Sequence, residues 1–103
     1  MKALIVIDYT NDFVATDGKL TCGEPGQKLE RKIAQLVREY ANRGDLVVFA
    51  NDLHKENDPY HPETKLFPPH NIEGTDGRHL YGQVADAYNE VNHLPNVISF
   101  DKT

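Results

Sequence analysis

Two short apolar runs, Ala3-Leu4-Ile5-Val6-Ile7 and Leu46-Val47-Val48-Phe49-Ala50, constrain this chain more than any other feature. Each is continuous rather than alternating and rich in β-branched residues, and each ends near an acid, Asp8 in the first case and Asp52 in the second. Such runs are how strands covered on both faces of a parallel sheet read. Between them Leu29, Ile33, Leu36, Val37 and Tyr40 recur at helical spacing. Pro25 fits the first turn of that helix and Gly44 its C-terminal cap. Residues 9–24, with Gly18 and Gly23 among polar neighbours, read as a loop. Strand, helix and strand make a βαβ unit, whose crossover should be right-handed.

The second half opens on a long polar segment, residues 51–79, which holds Pro59, Pro62, Pro68, Pro69, Gly74 and Gly77. A loop of this length is unusual in a compact domain and points to function. A second helix is predicted over Arg78–Val91, with Leu80, Val84, Ala87, Tyr88 and Val91 as its inner stripe. Val97-Ile98-Ser99-Phe100 supplies a third strand, which runs into Asp101, Lys102 and Thr103. Asp8, Asp52 and Lys102 thus stand after the three strands. In open parallel sheets ligands bind outside the carboxyl ends of the strands. Three charged residues at that edge define a candidate site.

A chain of 103 residues has room for one domain, residues 1–103. Its net charge of -5 and lack of a basic face argue against nucleic-acid binding. No apolar stretch approaches membrane-spanning length. Met1 leads straight into the first strand without a basic, cleavable leader, and the single Cys22 excludes an internal disulfide framework. A cytoplasmic protein is expected.

Asp52 and His54 lie two residues apart on extended chain, so their side chains should point the same way. His61, Glu63 and His70 follow, flanked by prolines that restrict the backbone. Imidazoles and carboxylates converging from such a loop suit a divalent metal, zinc above all, with iron or manganese as alternatives. His79 and His93 have no evident partner and read as surface residues.

The segment Ala3–Val14, read with Asn51-Asp52-Leu53-His54, His61-Pro62-Glu63, Phe67-Pro68-Pro69-His70 and Gly74-Thr75-Asp76-Gly77, resembles the isochorismatase-like cysteine hydrolases and, within them, the nicotinamidase branch. The resemblance runs from residue 2 to Lys102. It implies a three-layer α/β/α parallel sheet, of which this chain would supply the first three strands in the order three, two, one. It also implies that Asp8 is the general acid/base and Lys102 the lysine of a catalytic triad. Asp52, His54 and His70 match metal ligands, Glu63 matches a fourth, and Phe13 and Phe67 match aromatic positions lining a pyridine pocket. His61 has no assigned role.

The implied reaction is hydrolysis of nicotinamide to nicotinate and ammonia, a step of NAD salvage, by a metal-dependent homo-oligomer. Other small amides are alternative substrates, and the ligand set argues against isochorismate. A non-catalytic metal-binding or partner-binding module is a third reading. The family's nucleophile is a cysteine after a fourth strand, and Cys22 stands in the wrong place to replace it. The chain alone is therefore expected to be inactive toward nicotinamide, with its first strand left as an uncovered apolar edge.

Overall fold

The computed structural model describes residues 1–53, 71–72 and 75–102. Three parallel strands, β1 (Ala3–Ile7), β2 (Leu46–Asp52) and β3 (Val97–Lys102), form one sheet in the order β1-β2-β3. The expected α/β arrangement and strand order are therefore present. Register pairs Val6 with Phe49 and Phe49 with Ser99 across the sheet. One layer of helices, α3 (Glu30–Asn42) and α4 (Gly82–Val91), packs on the face that carries Val6, Val47 and Phe49. Phe49 is fully buried, and its ring meets Tyr88 edge to face at 4.9 Å. Such a contact adds about 0.5–1.5 kcal/mol to the burial itself. Among the described residues no helix is long and apolar enough to cross a membrane.

The stripe of α4 falls where periodicity put it. In α3 only Val37 of the expected stripe is buried, while Ile33 and Tyr40 pack partly buried against the core and Leu29 is 53 % exposed. Val84, Ala87 and Val91 of α4 are buried, as are Ala34, Val37 and Ala41 of α3. Helix α3 ends at Gly44, whose φ of 83° lies in the left-handed region that glycine enters without steric cost. Gly44 N–H donates to the Ala41 carbonyl and Asp45 N–H to that of Tyr40, the paired bonds of a Schellman cap.

Four features differ from the sequence reading. The helix expected from Pro25 onward is split into α2 (Glu24–Gln27) and α3. The Tyr9 hydroxyl donates to the Gly26 carbonyl at 2.5 Å, a carbonyl that an unbroken helix would offer to the N–H of Glu30. Residues 9–24 are not all loop, because Asn11–Val14 form a one-turn helix, α1. The second helix begins at Gly82 rather than Arg78. A 3₁₀ turn, Asp76–Arg78, precedes it, and residues 79–81 are extended because Asn11 N–H donates to His79 O and Tyr81 N–H to Tyr9 O.

The fourth difference concerns the sheet faces. Continuous apolar runs predict cover on both sides, yet Ile5, Ile7, Ile98 and Phe100 are 46–62 % exposed. Those residues share the face opposite the helices, and no described element lies over them.

Tyr9 lends itself to measurement. Burial, helped by the negative charge of Glu30, pushes its hydroxyl up to about 12. A phenol whose folded-state value exceeds its unfolded value stabilises the fold fully below the unfolded value and loses that contribution as pH rises through the folded one. In an alkaline titration followed by tyrosinate absorbance, Tyr9 should give a late phase near pH 12, with unfolding accompanying it. Tyr9→Phe should remove that late phase; its persistence would assign it elsewhere.

Candidate active site at the carboxyl ends of the strands

The alternation of a strand decides which charged groups meet. In β2 the side chains of Val48, Ala50 and Asp52 share the face away from the helices, and Ile98, Phe100 and Lys102 do so in β3. Register places Asp52 opposite Lys102. The Lys102 ammonium bridges two carboxylates, donating to Asp8 Oδ2 at 2.8 Å and to Asp52 Oδ1 at 2.5 Å. Asp8 Oδ1 accepts the backbone N–H of Asp52 at 2.8 Å. Three residues that sequence order spreads over ninety-four positions thus form one ion cluster at the sheet's carboxyl edge.

Asp8 reaches that position through strained backbone. Its φ is 55°, in the left-handed region where acids and asparagine are tolerated but not favoured. Its N–H still donates to Ala50 O, so the sheet ladder turns at Asp8 instead of continuing. Left-handed non-glycine residues cost of order 1 kcal/mol or more and persist where surrounding bonds hold them. Here the Lys102 and Asp52 contacts do so.

The ammonium of Lys102 is held protonated. Burial alone would lower its pKa, but hydrogen bonds to Asp52 and Asp8, with the charges of both, outweigh burial and raise it above the ordinary lysine value. The cation therefore stays charged across the neutral range.

A second set of polar groups, not singled out in the sequence reading, supports the first from behind. Asn71 is fully buried with φ 45°. Its N–H donates to Asp12 Oδ2 at 2.7 Å and its side-chain amide donates to the Asp52 carbonyl at 3.2 Å. Its Oδ1 accepts from the hydroxyl of Thr10, itself fully buried. Asp12, also buried, takes the N–H of Lys19 as well, and a Cβ at Gly77 would collide with its carboxylate. Asp12 and Thr10 stand in the Asp-Tyr-Thr-Asn-Asp run after β1, a density of short polar residues that is the one sequence signal for this clamp.

Of the predicted site residues, the structure brings Asp8, Asp52 and Lys102 together. Phe13 sits in α1, partly buried and packed against the hydrophobic core. His54, Glu63, Phe67 and His70 lie outside the described residues, as does His61. Among the described residues no three His, Cys, Asp or Glu side chains converge as metal ligands. Cys22 is exposed, and its sulfur lies over Gly26. His79 and His93 are exposed, as expected of surface residues.

The bridging lysine generates a test. A lysine whose pKa is raised by folding contributes stability fully below its unfolded value of about 10.4, and that contribution disappears as pH rises through the folded value. Lys102→Met should lower stability at neutral pH by about 1–2 kcal/mol, the low end for a charged hydrogen-bonded group because the side chain is partly solvated. Its alkaline loss of stability above about pH 10 should be shallower than that of the parent chain. Adding Asp8→Asn should restore part of the loss by removing one of two facing carboxylates. Parallel alkaline curves for parent and variant, by thermal or denaturant unfolding, would refute the assignment.

Comparison with known proteins places this geometry. Residues 2–95 match the isochorismatase domain family. The uncharacterized isochorismatase family protein PncA of Bacillus subtilis (strain 168) is 60% identical over 102 residues, which are 99% of this chain and 56% of that protein. The crystal structure of the nicotinamidase/pyrazinamidase PncA from Bacillus subtilis superposes with a TM-score of 0.96 at 53% identity, over 100% of this chain and 57% of that one. The pyrazinamidase of Pyrococcus horikoshii, solved in complex with zinc, superposes at 0.75 with 25% identity, over 98% of this chain and 51% of that one. The chain thus spans little more than half the length of these relatives. With residues 2–95 matched and the strand order and the carboxyl-edge cluster in place, the chain belongs to the isochorismatase family.

Proposed function

We propose that residues 1–103 carry the acid/base half of a metal-dependent amidohydrolase that converts nicotinamide to nicotinate and ammonia. The observation that carries this reading is the Lys102 bridge between Asp8 and Asp52. It is supported by the activity named for the Bacillus subtilis structure.

Amide hydrolysis at neutral pH requires a nucleophile better than water, and a cysteine thiolate attacking the carbonyl carbon is such a group. In this reading Asp8 accepts the thiol proton as the sulfur–carbon bond forms. It returns that proton to the nitrogen as the carbon–nitrogen bond breaks, so ammonia leaves and a thioester remains. Water then hydrolyses the thioester, with Asp8 again taking and returning a proton. The Lys102 ammonium holds the Asp8 carboxylate in place at 2.8 Å, and a cation at this edge also favours a nearby thiolate. Cys22, the sole thiol of the chain, is exposed and lies over Gly26, so it is not assigned the nucleophile's role.

The donor chemistry suits a divalent metal. Asp52 is a buried carboxylate that already holds one cation, and His54, Glu63 and His70 would complete an oxygen and imidazole set. Bound there, the metal would supply Lewis acidity for orienting a ring nitrogen and polarising water. Zinc is favoured, since it is the metal in the Pyrococcus horikoshii complex.

The test joins this chain to the part of Bacillus subtilis PncA that it does not match. The chimera should release ammonia from nicotinamide, and Asp8→Asn should lower kcat/KM by about 10²–10⁴. It should hold about one metal ion per chain by elemental analysis, falling in Asp52→Ala. The 103-residue chain alone should release no ammonia. A folded, metal-loaded chimera without amidase activity would favour the non-catalytic metal-binding module instead.

A further inference from the structure

Among the described residues, two that are not glycine hold left-handed backbone, Asp8 with φ 55° and Asn71 with φ 45°. Both act on one residue. The N–H of Asp52 donates to Asp8 Oδ1 at 2.8 Å, and its carbonyl accepts from Asn71 Nδ2 at 3.2 Å. Strand pairing explains why they are needed there. The last β2 residue that β1 pairs with is Ala50, so among the described residues no strand backbone meets Asp52 on that side of β2. The Asp8 carboxylate and the Asn71 amide take the place of the missing ladder.

Asparagine suits this position for two reasons. It tolerates left-handed backbone, and its side chain carries a donor and an acceptor together. Asn71 is fully buried, and each end of its amide is used. The Thr10 hydroxyl donates to Oδ1 at 2.9 Å while Nδ2 faces the Asp52 carbonyl. An amide turned end for end would set two acceptor oxygens, Oδ1 and that carbonyl, against each other. The Asn71 N–H, held by Asp12 Oδ2 at 2.7 Å, anchors the backbone. Left-handed non-glycine residues persist where their surroundings over-determine them, and they gather at functional sites. The fold itself asks for little here, because Val47 and Phe49 already fix β2 in the core and Asp52 already pairs with Lys102 of β3.

We propose that Asn71, oriented by Thr10, is a positioning residue that aims the Asp52 carboxylate at a bound metal. This rests on the reading of Asp52 as a metal ligand given above. Holding both the N–H and the carbonyl of Asp52 fixes the orientation of its backbone, and with it the direction in which the carboxylate leaves the strand. A ligand aimed in advance loses less freedom when the metal binds. Groups that hold a ligand from behind typically contribute about 10–100-fold in metal affinity. A bond that served the fold alone would strengthen folding and leave the affinity of the folded chain where it was.

The test is the zinc affinity of the folded 103-residue chain, measured by competition with a chromophoric chelator. Asn71→Gly keeps the left-handed backbone and the N–H for Asp12 but removes the amide, and should weaken zinc about 10–100-fold. Thr10→Val leaves Asn71 Oδ1 without its donor and should act in the same direction. Thr10→Ser, which keeps the hydroxyl, should bind zinc as the parent chain does. Asp52→Ala removes the carboxylate but not the carbonyl that Asn71 holds. In that background neither Asn71→Gly nor Thr10→Val should weaken zinc further, because the ligand they position is gone. If Thr10→Val does not fold, Asn71→Gly with and without Asp52→Ala decides. Parent-like affinity in Asn71→Gly, or an equal loss whether or not the Asp52 carboxylate is present, would overturn this proposal alone. A parent chain with no zinc affinity would overturn the reading of Asp52 as a ligand and this proposal with it.

Discussion

Everything at the carboxyl edge of the sheet depends on one cation between two carboxylates. Asp8 and Asp52 would repel each other if left alone, and Asp8 reaches the cluster only through left-handed backbone. The Lys102 ammonium reverses the sign of that interaction by donating to both. Its own protonation is secured by the same contacts, so the arrangement sustains itself across the neutral range. Each residue comes from a different strand or strand end, which makes the cluster a reporter of correct strand pairing.

The cluster is not held by charge alone. Asn71 returns the chain beneath β2, bonding to the Asp52 carbonyl, to Asp12 and to Thr10. A buried network of this kind is stable only when fully satisfied, since an unmade bond in low dielectric costs more than it would at the surface. The Asp12 carboxylate meets this demand by accepting from two backbone N–H groups. Such backing fixes the backbone of Asp52, the base from which its carboxylate projects.

Much of this was legible in the sequence, because the relevant signals are local. The apolar runs mark β1 and β2, helical periodicity marks the buried stripe of α4 and, through Val37, part of that of α3, and Gly44 marks the end of α3. Acids and a lysine after successive strands also pointed to the edge at which Asp8, Asp52 and Lys102 meet. What could not be read locally depends on partners distant in sequence. Tyr9 interrupts the helix at Gly26 across seventeen residues, a contact that no window of helical periodicity contains. Residues 79–81 are extended because they pair with 9–11, so the helix signal starting at Arg78 loses to a backbone ladder. Asn71 offered no pattern, since one asparagine in a polar loop looks like any other. The apolar runs did announce two covered faces, but among the described residues no element lies over Ile5, Ile7, Ile98 and Phe100.

The last rung of the sheet ties the two faces together. Asn51 pairs with Asp101 and Asp52 with Lys102, so adjacent rungs send one pair toward the helices and the next away from them. A slip of one residue in the β2–β3 register would exchange these roles, turning Lys102 from the carboxylates toward the helix layer and bringing Asp101 to the edge in its place. Three acids, Asp8, Asp52 and Asp101, and no cation would then stand where the cluster now is, beside a backbone already strained at Asp8. The register is therefore specified twice, by the core that Val47 and Phe49 bury and by the charges that only this pairing neutralises. Packing alone would punish such a slip through lost burial, whereas the ion cluster punishes it through uncompensated charge, a penalty that acts at the residues where the chemistry is expected.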